Sequence, residues 1–235
     1  MCIRDRYLHK VFNQKLPQSQ LPGDVSYLAS DFHKHIQSGV VTSQQFSDPH
    51  VLLEAYRQRA RRLVEIASRR YQDGTGMGMD NVAAWNYSSV DWTVAARAHC
   101  HYAVLNAFQS ALQTAEVNDN NLAILRALCS LYAVFGIVQY SGEFTMDGYL
   151  STDQLSKARE HLYFLLESIR PEAVPLVDAF DFHDQILNSA LGRYDGDVYR
   201  HLYEWALRAP RNKTEVHETY KKYLQGVLKK NKAKL

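Results

Sequence analysis

The sequence predicts an all-α protein folded as an antiparallel helical bundle. Apolar residues recur three and four positions apart over several segments long enough to be helices. Capping residues precede these segments, and Pro or Gly residues follow several of them. One segment, 121–139, is apolar almost all round, which is typical of a helix in the middle of a bundle.

The composition is that of an ordinary globular protein. With 235 residues, 46% of them hydrophobic, the chain can bury a sizeable core in one domain, with room for a smaller appended piece. A net charge of +2 argues against nucleic-acid binding, and polar residues interrupt the longest apolar run, so no membrane span is predicted. The cysteines Cys2, Cys100 and Cys129 are too few for a disulfide framework or a zinc site and fit a reducing compartment. Residues 1–6 lack the apolar core of a signal peptide.

The N-terminal part divides into a helix end and a long connection. Residues 6–14 are predicted to be the last turns of a longer helix. Residues 15–48 are rich in Pro, Gly, Ser and Gln, which favours a linker with one short helix at about 27–35. The expected domains are therefore 1–14, a linker at 15–48, and a helical domain at 49–235. His33 and His35 do not share a helical face, so no metal site is predicted there.

Asp48 and Pro49 form a helix start, and the helix is expected to reach about residue 71. Its apolar stripe comprises Leu52, Ala55, Tyr56, Leu63, Ile66 and Ala67, and its remaining surface carries Arg57, Arg59, Arg61, Arg62, Arg69 and Arg70. The arginines have two interpretations, a phosphate or CoA patch and a solvated surface with ion pairs. Interleaved glutamates favour the second.

The next segments predict a connection and one further helix. The glycines at 74, 76 and 78 lack a preceding strand and a following Gly-Lys-Ser/Thr, which favours a flexible connection over a phosphate loop. Ser88 or Ser89 can cap a helix running to about 115. Within it, His99, Cys100 and His101 point in different directions, so packed, hydrogen-bonded histidines are expected instead of a metal site.

Capping signals and prolines define the remaining helices. Residues 151–154 resemble a capping box, and Pro171 ends the helix that follows. Two final helices are expected at 198–209 and 214–228, the second capped by Thr214.

Residues 176–199 mix apolar and acidic positions. The spacing predicts a buried helical face comprising Val177, Phe180, Ile186, Leu187 and Leu191, a helix end at Gly192 and a new helix after Asp197. Asp178, Asp181 and Asp184 form an acidic stripe at steps of three. General-base machinery, a metal ledge and the solvated side of a helix are all possible interpretations, and the solvated side is favoured because no further ligands lie at suitable spacing.

Several stretches carry a family resemblance. Val-Asp-Ala-Phe-Asp (177–181), Leu-Gly-Arg-Tyr-Asp-Gly-Asp-Val-Tyr (191–199), Leu-Tyr-Glu-Trp-Ala (202–206) and Asn-Lys-Thr-Glu-Val-His-Glu-Thr-Tyr (212–220) resemble the C-terminal part of peroxisomal acyl-CoA oxidases. Ala-His-Cys-His-Tyr (98–102) is similar to the same family. The resemblance extends from about residue 6 to residue 235 and implies a bundle of the acyl-CoA dehydrogenase/oxidase C-terminal type.

The resemblance implies an enzyme. Family members are FAD-dependent homodimers that oxidise acyl-CoA to trans-2-enoyl-CoA and pass the electrons to O2, giving H2O2 in fatty acid β-oxidation. Their catalytic glutamate would lie upstream of residue 6, and most of the FAD site would lie outside this chain. No catalytic residue is therefore assigned, and the chain is expected to supply the helical scaffold and dimer support.

The C-terminus predicts a peroxisomal location. Ala233, Lys234 and Leu235 are a conservative variant of the Ser-Lys-Leu signal that the peroxisomal import receptor binds. Lysines accumulate before this tripeptide, which favours a solvated tail. Without the resemblance, composition and periodicity alone favour a non-catalytic all-helical interaction module.

Overall fold

The computed structural model describes residues 3–14, 17–21, 23–29, 37–214, 216 and 218–232. Every regular element in these ranges is helical, as the sequence predicts. The chain forms two compact units, Met1–Glu172 and Ala173–Leu235. The all-α bundle predicted from the sequence is confirmed.

Within its described residues, the first unit contains seven α-helices. These are α1 Ile3–Gln14, α2 Pro49–Gly76, α3 Asn81–Tyr87, α4 Ser89–Gln113, α5 Asp119–Gln139, α6 Ser141–Thr145 and α7 Thr152–Ile169. Helix α2 packs along α4 and also contacts α3, while α5 packs along α7. Their apolar faces enclose one core that includes Tyr56, Trp92, Leu105 and Ile137.

Local capping explains where the main helices begin. Asp48 Oδ1 accepts a hydrogen bond from the His50 amide at 2.8 Å, and this bond starts α2 as predicted. Ser151 and Gln154 form the predicted capping box of α7, with the Gln154 amide 3.2 Å from Ser151 Oγ. Asp80 caps α3, a helix that the sequence analysis did not predict.

Residues 15–48 contribute to the core of the first unit. Their described parts form short 3₁₀ helices at Gln18–Gln20, Gly23–Leu28 and Ser43–Ser47. Val25, Tyr27 and Phe46 are buried. The predicted short helix at 27–35 lies largely outside the described residues, as do His33 and His35.

The prediction of a flexible connection at the glycines 74, 76 and 78 is partly wrong. Helix α2 continues through Gly76, five residues beyond the expected end. The reason is close packing, because a Cβ on Gly74 would lie only 3.3 Å from Ala84 and from the Tyr87 ring. Gly74 thus lets α3 approach the last turns of α2.

Helix α5 is less buried than its sequence predicts. Cys129, Ala133, Val134, Gly136 and Ile137 are buried, but much of the first half is not, and Phe135 is exposed. By length and composition α5 could also cross a membrane. The packing of α5 against α7 and α4 is also typical of a core helix in a globular bundle.

The second unit consists of short helices. They are α8 Ala173–Asp178, α9 Asp184–Leu187, α10 Val198–Arg208, a 3₁₀ turn Pro210–Asn212, a π turn Tyr220–Leu224 and α11 Gln225–Lys232. Thr214, the predicted cap, precedes the last helical segments, and its hydroxyl donates to the Val216 carbonyl.

Two predictions for residues 176–199 are wrong. The expected buried face is exposed: Val177, Phe180, Ile186, Leu187 and Leu191 all face solvent. The helix also ends before Gly192, because Asn188 adopts a left-handed conformation (φ 44°) and closes α9. Apolar spacing alone therefore gave a wrong prediction of a buried helical face, since α8 and α9 are too short to form one continuous face.

Candidate functional site

A partly buried polar cluster in the first unit surrounds Arg59. This residue lies on the apolar stripe of α2, between Tyr56 and Leu63, and its side chain is fully buried. Its Nη2 lies 2.6 Å from Glu143 Oε2, and its Nε donates to the same oxygen at 2.7 Å. A buried guanidinium is costly unless it is paired, so Glu143 of α6 makes its burial possible.

A second arginine completes the pairing of Glu143. Arg97 of α4 donates to Glu143 Oε1 at 2.8 Å. The Tyr140 ring lies beneath both guanidiniums, 4.7 Å from the Arg59 Cζ and 4.9 Å from the Arg97 Cζ. Both carboxylate oxygens of Glu143 are thus engaged, and this carboxylate is not positioned as a free general base.

Arg62 fixes the backbone of the same turn. Its Nη2 donates to the Glu143 carbonyl at 2.8 Å, and its Nε lies 3.2 Å from Asp147 Oδ2. These bonds and the ion pairs of Arg59 and Arg97 join α2, α4 and α6 at one turn. The predicted ion pairs therefore exist, although Arg59 and Arg61 are buried and not on the solvated surface.

His101 lies against this cluster. Its Nδ1 is 3.1 Å from Arg59 Nη1. A guanidinium can only donate, so this imidazole nitrogen accepts and the ring must be neutral. Burial lowers the pKa of His101, and the charges of Arg59 and Arg97 lower it further, against the opposing effect of Glu143.

His99, in the same His-Cys-His stretch, is packed as predicted. His99 is buried and its Nδ1 lies 2.8 Å from the Tyr27 hydroxyl, which confirms a packed, hydrogen-bonded histidine. No set of three or more His, Cys, Asp or Glu side chains suited to a metal ion occurs within the described ranges.

Burial raises the pKa of the Cys129 thiol to about 11, so this cysteine is a poor nucleophile near neutral pH.

The second unit contains a hollow of about 860 Å³. Phe180 and Phe182, whose rings stack at 6.2 Å, contribute to its apolar wall. The acidic stripe lies at this hollow, with Asp184 3.4 Å from the Arg193 guanidinium. Asp181 has a left-handed backbone (φ 50°), so the stripe does not lie on one helix as the spacing suggested.

Neither the hollow in the second unit nor the arginine cluster in the first unit fits FAD. The hollow in the second unit presents carboxylates, which would repel a pyrophosphate. In the first unit, Arg59, Arg62 and Arg97 are already paired with Glu143 or Asp147. The predicted targeting residues Ala233, Lys234 and Leu235 lie outside the described residues.

The buried joint between Arg59 and Glu143 was not predicted from the sequence. A signal was present, because position 59 falls four residues after Ala55 and four before Leu63 on the apolar stripe. A charged residue at such a position indicates a buried partner. That partner could not be identified, since Glu143 is 84 residues away along the chain.

Comparisons with known proteins identify the class. The family model described as acyl-CoA oxidase matches residues 48–229. Peroxisomal acyl-coenzyme A oxidase 1 of Rattus norvegicus is 43% identical over 230 residues, covering 96% of this chain and 34% of the relative. The Homo sapiens protein of the same name is 42% identical over 230 residues, covering 95% of this chain and 34% of the relative.

Solved structures show the same fold. Acyl-CoA oxidase 1 of Arabidopsis thaliana superposes with a TM-score of 0.86 at 31% identity, covering 96% of this chain and 34% of that chain. Acyl-CoA oxidase-1 of Caenorhabditis elegans, complexed with FAD and ATP, gives a TM-score of 0.84 at 31% identity, with 96% and 34% coverage.

The chain belongs to the acyl-CoA oxidase family, which confirms the resemblance found in the sequence. It spans about a third of the length of the curated relatives it matches.

Proposed function

We propose that this chain is the C-terminal portion of a FAD-dependent peroxisomal acyl-CoA oxidase that acts in fatty acid β-oxidation. The complete enzyme would convert acyl-CoA and O2 to trans-2-enoyl-CoA and H2O2. One observation carries the proposal: the match extends over 96% of this chain to relatives that bear this name. The C. elegans structure with FAD supports the choice of cofactor.

Within that enzyme, the chain acts as a helical scaffold and supports a homodimer. The polar cluster around Arg59 supports this role, because its charges pair with one another and tie three helices together. In the complete enzyme a bound flavin would supply a hydride acceptor, and a carboxylate would abstract the α-proton of the substrate. The carboxylate would be a glutamate upstream of residue 6, and most of the FAD site would also lie there.

A chimera tests the proposal. We would join the upstream two thirds of the rat oxidase 1 to this chain and compare it with the 235-residue chain alone. The chimera should bind flavin and release H2O2 from acyl-CoA, whereas the chain alone should show neither flavin absorbance nor peroxide. A folded chimera without activity would contradict the family role, and peroxide from the chain alone would contradict the scaffold role.

The peroxisomal location has its own test. A fluorescent protein that carries the last dozen residues should enter peroxisomes, because the terminal tripeptide would bind the import receptor. The control lacks Leu235 and should remain cytosolic. Diffuse fluorescence from both fusions would refute the targeting role.

A further inference from the structure

Helix α10 turns its apolar side toward solvent. Tyr199, Leu202, Tyr203 and Ala206 recur at spacings of three and four and form one side of the helix, here called the tyrosine face. All four are exposed, with Tyr199 at 88% and Tyr203 at 66%. A surface helix of a globular protein normally turns this side inward, so the exposure of the tyrosine face is unusual.

His201, on the polar side of α10, is sheltered. The His201 side chain is only 14% exposed, and its Nε2 lies 3.2 Å from Asp195 Oδ2. Asp195 is also held by Arg193, whose Nη2 lies 2.8 Å away. The orientation of α10 is thus fixed by specific polar contacts from the turn that precedes it.

The composition of the tyrosine face is that of a protein interface. Tyrosine is enriched at the centre of interfaces, where its ring buries much area and its hydroxyl keeps a polar partner. The face contains no charged residue, and charged residues are depleted from interface cores. Isolated exposed apolar residues are common, but a contiguous row on a fixed helix indicates a contact surface.

We propose that the tyrosine face is the docking surface for the part of the oxidase that lies upstream of this chain. This inference rests on the proposed function. The relatives are about three times as long as their matched segment, and the family match at 48–229 includes α10. A covalently linked partner of that length is present at a high effective concentration, which favours it over a separate molecule.

The test measures the accessibility of the two tyrosines in the chimera and in the 235-residue chain. N-acetylimidazole acetylates accessible tyrosine hydroxyls, and mass spectrometry locates the modified residues. Tyr199 and Tyr203 should react quickly in the chain alone and at least about tenfold more slowly in the chimera, because docking would cover them. Equal reactivity in the two proteins would overturn the proposal.

Matched substitutions give a second readout. Tyr203→Gln should leave the melting temperature of the chain alone within about 1 °C and lower that of the chimera by about 4 °C or more. Arg208→Gln, on the polar side of α10, should change neither protein by more than about 1 °C. An equal effect of Tyr203→Gln in both proteins would overturn the proposal.

The remaining outcomes separate this inference from its alternatives. If the chain alone forms a dimer that Tyr203→Gln dissociates, the face binds a second copy and the proposal is wrong. An active chimera with fully reactive tyrosines would refute the docking surface and leave the proposed function intact. An inactive chimera with protected tyrosines would support the docking surface and count against the proposed function.

Discussion

The Tyr56 side chain of α2 closely approaches Gly136 of α5, and replacing this glycine with alanine should be strongly destabilising. A Cβ at this position would lie 2.0 Å from the Tyr56 hydroxyl oxygen and 3.2 Å from Tyr56 Cζ. Tyr56 is buried, and its hydroxyl donates to the Ala133 carbonyl at 2.8 Å. The phenol ring is rigid and enclosed, so it cannot move aside without disturbing the core.

The expected loss of stability can be worked out from three effects. Alanine favours a helix over glycine by about 1 kcal/mol, which alone would stabilise α5. Displacing the Tyr56 hydroxyl leaves a buried polar group without its partner, at a cost of about 1–3 kcal/mol. Overpacking costs about 1–3 kcal/mol more. We expect Gly136→Ala to lower the free energy of unfolding by about 3 kcal/mol, or roughly 6–12 °C in melting temperature.

Urea unfolding followed by circular dichroism would measure this loss, and a double-mutant cycle would assign it to Tyr56. Tyr56→Phe removes the hydroxyl and should cost about 1–2 kcal/mol by itself. In that background Gly136→Ala should be nearly neutral, because only the 3.2 Å approach to Cζ remains. Gly142→Ala is the matched control, since a Cβ there has no neighbour within 4 Å.

A neutral effect of Gly136→Ala in the unmodified chain would refute the predicted clash with Tyr56. The predicted coupling would also be refuted if Gly136→Ala lowered the free energy of unfolding equally with and without the Tyr56 hydroxyl, because the two positions would then be uncoupled.

Two further predictions concern the cluster around Arg59. Glu143→Gln should lower the free energy of unfolding by about 3 kcal/mol, since it leaves the buried guanidinium of Arg59 without a carboxylate, whereas the control Glu65→Gln at an exposed pair should cost less than about 1 kcal/mol. Equal losses in a urea titration would contradict the buried-pair argument. The second prediction is pH dependence: the folded-state pKa of His101 lies below 6.5, so the unfolded chain binds the proton more readily and stability should fall as the pH drops below about 6.5. His101→Gln should reduce this loss without abolishing it, because burial also lowers the pKa of two other histidines. The role of His101 would be contradicted if the free energy of unfolding fell equally between pH 7 and pH 5 in the unmodified chain and in the His101→Gln variant.

Local signals in the sequence predicted much of the fold. Asp48 starts α2, and Ser151 with Gln154 starts α7, because a cap depends on backbone groups only two or three residues away. Those interactions form wherever the sequence permits a helix. The all-α class and the packed state of His99 followed from similarly local geometry.

Burial was predicted less well, because it depends on segments distant in sequence. The environment of Arg59 depends on Glu143, and the extension of α2 depends on contact between Gly74 and Ala84. The stretch at 176–199 has the spacing of a buried face and yet is exposed, as in the case of Phe180. A pattern of apolar residues shows that a surface needs a partner but not which partner covers it.

The depth of the Arg59 joint has a consequence for how the first unit responds to salt. Exposed pairs on α2, such as Arg69 with Glu65, are screened within about 10 Å at 0.1 M ionic strength. The guanidinium of Arg59 has no solvent-exposed surface, so dissolved ions cannot reach it. Raising the ionic strength should therefore weaken the exposed ion pairs of α2, whereas the buried ion pair between Arg59 and Glu143 of α6 should persist. A titration with sodium chloride would separate these two electrostatic contributions to stability.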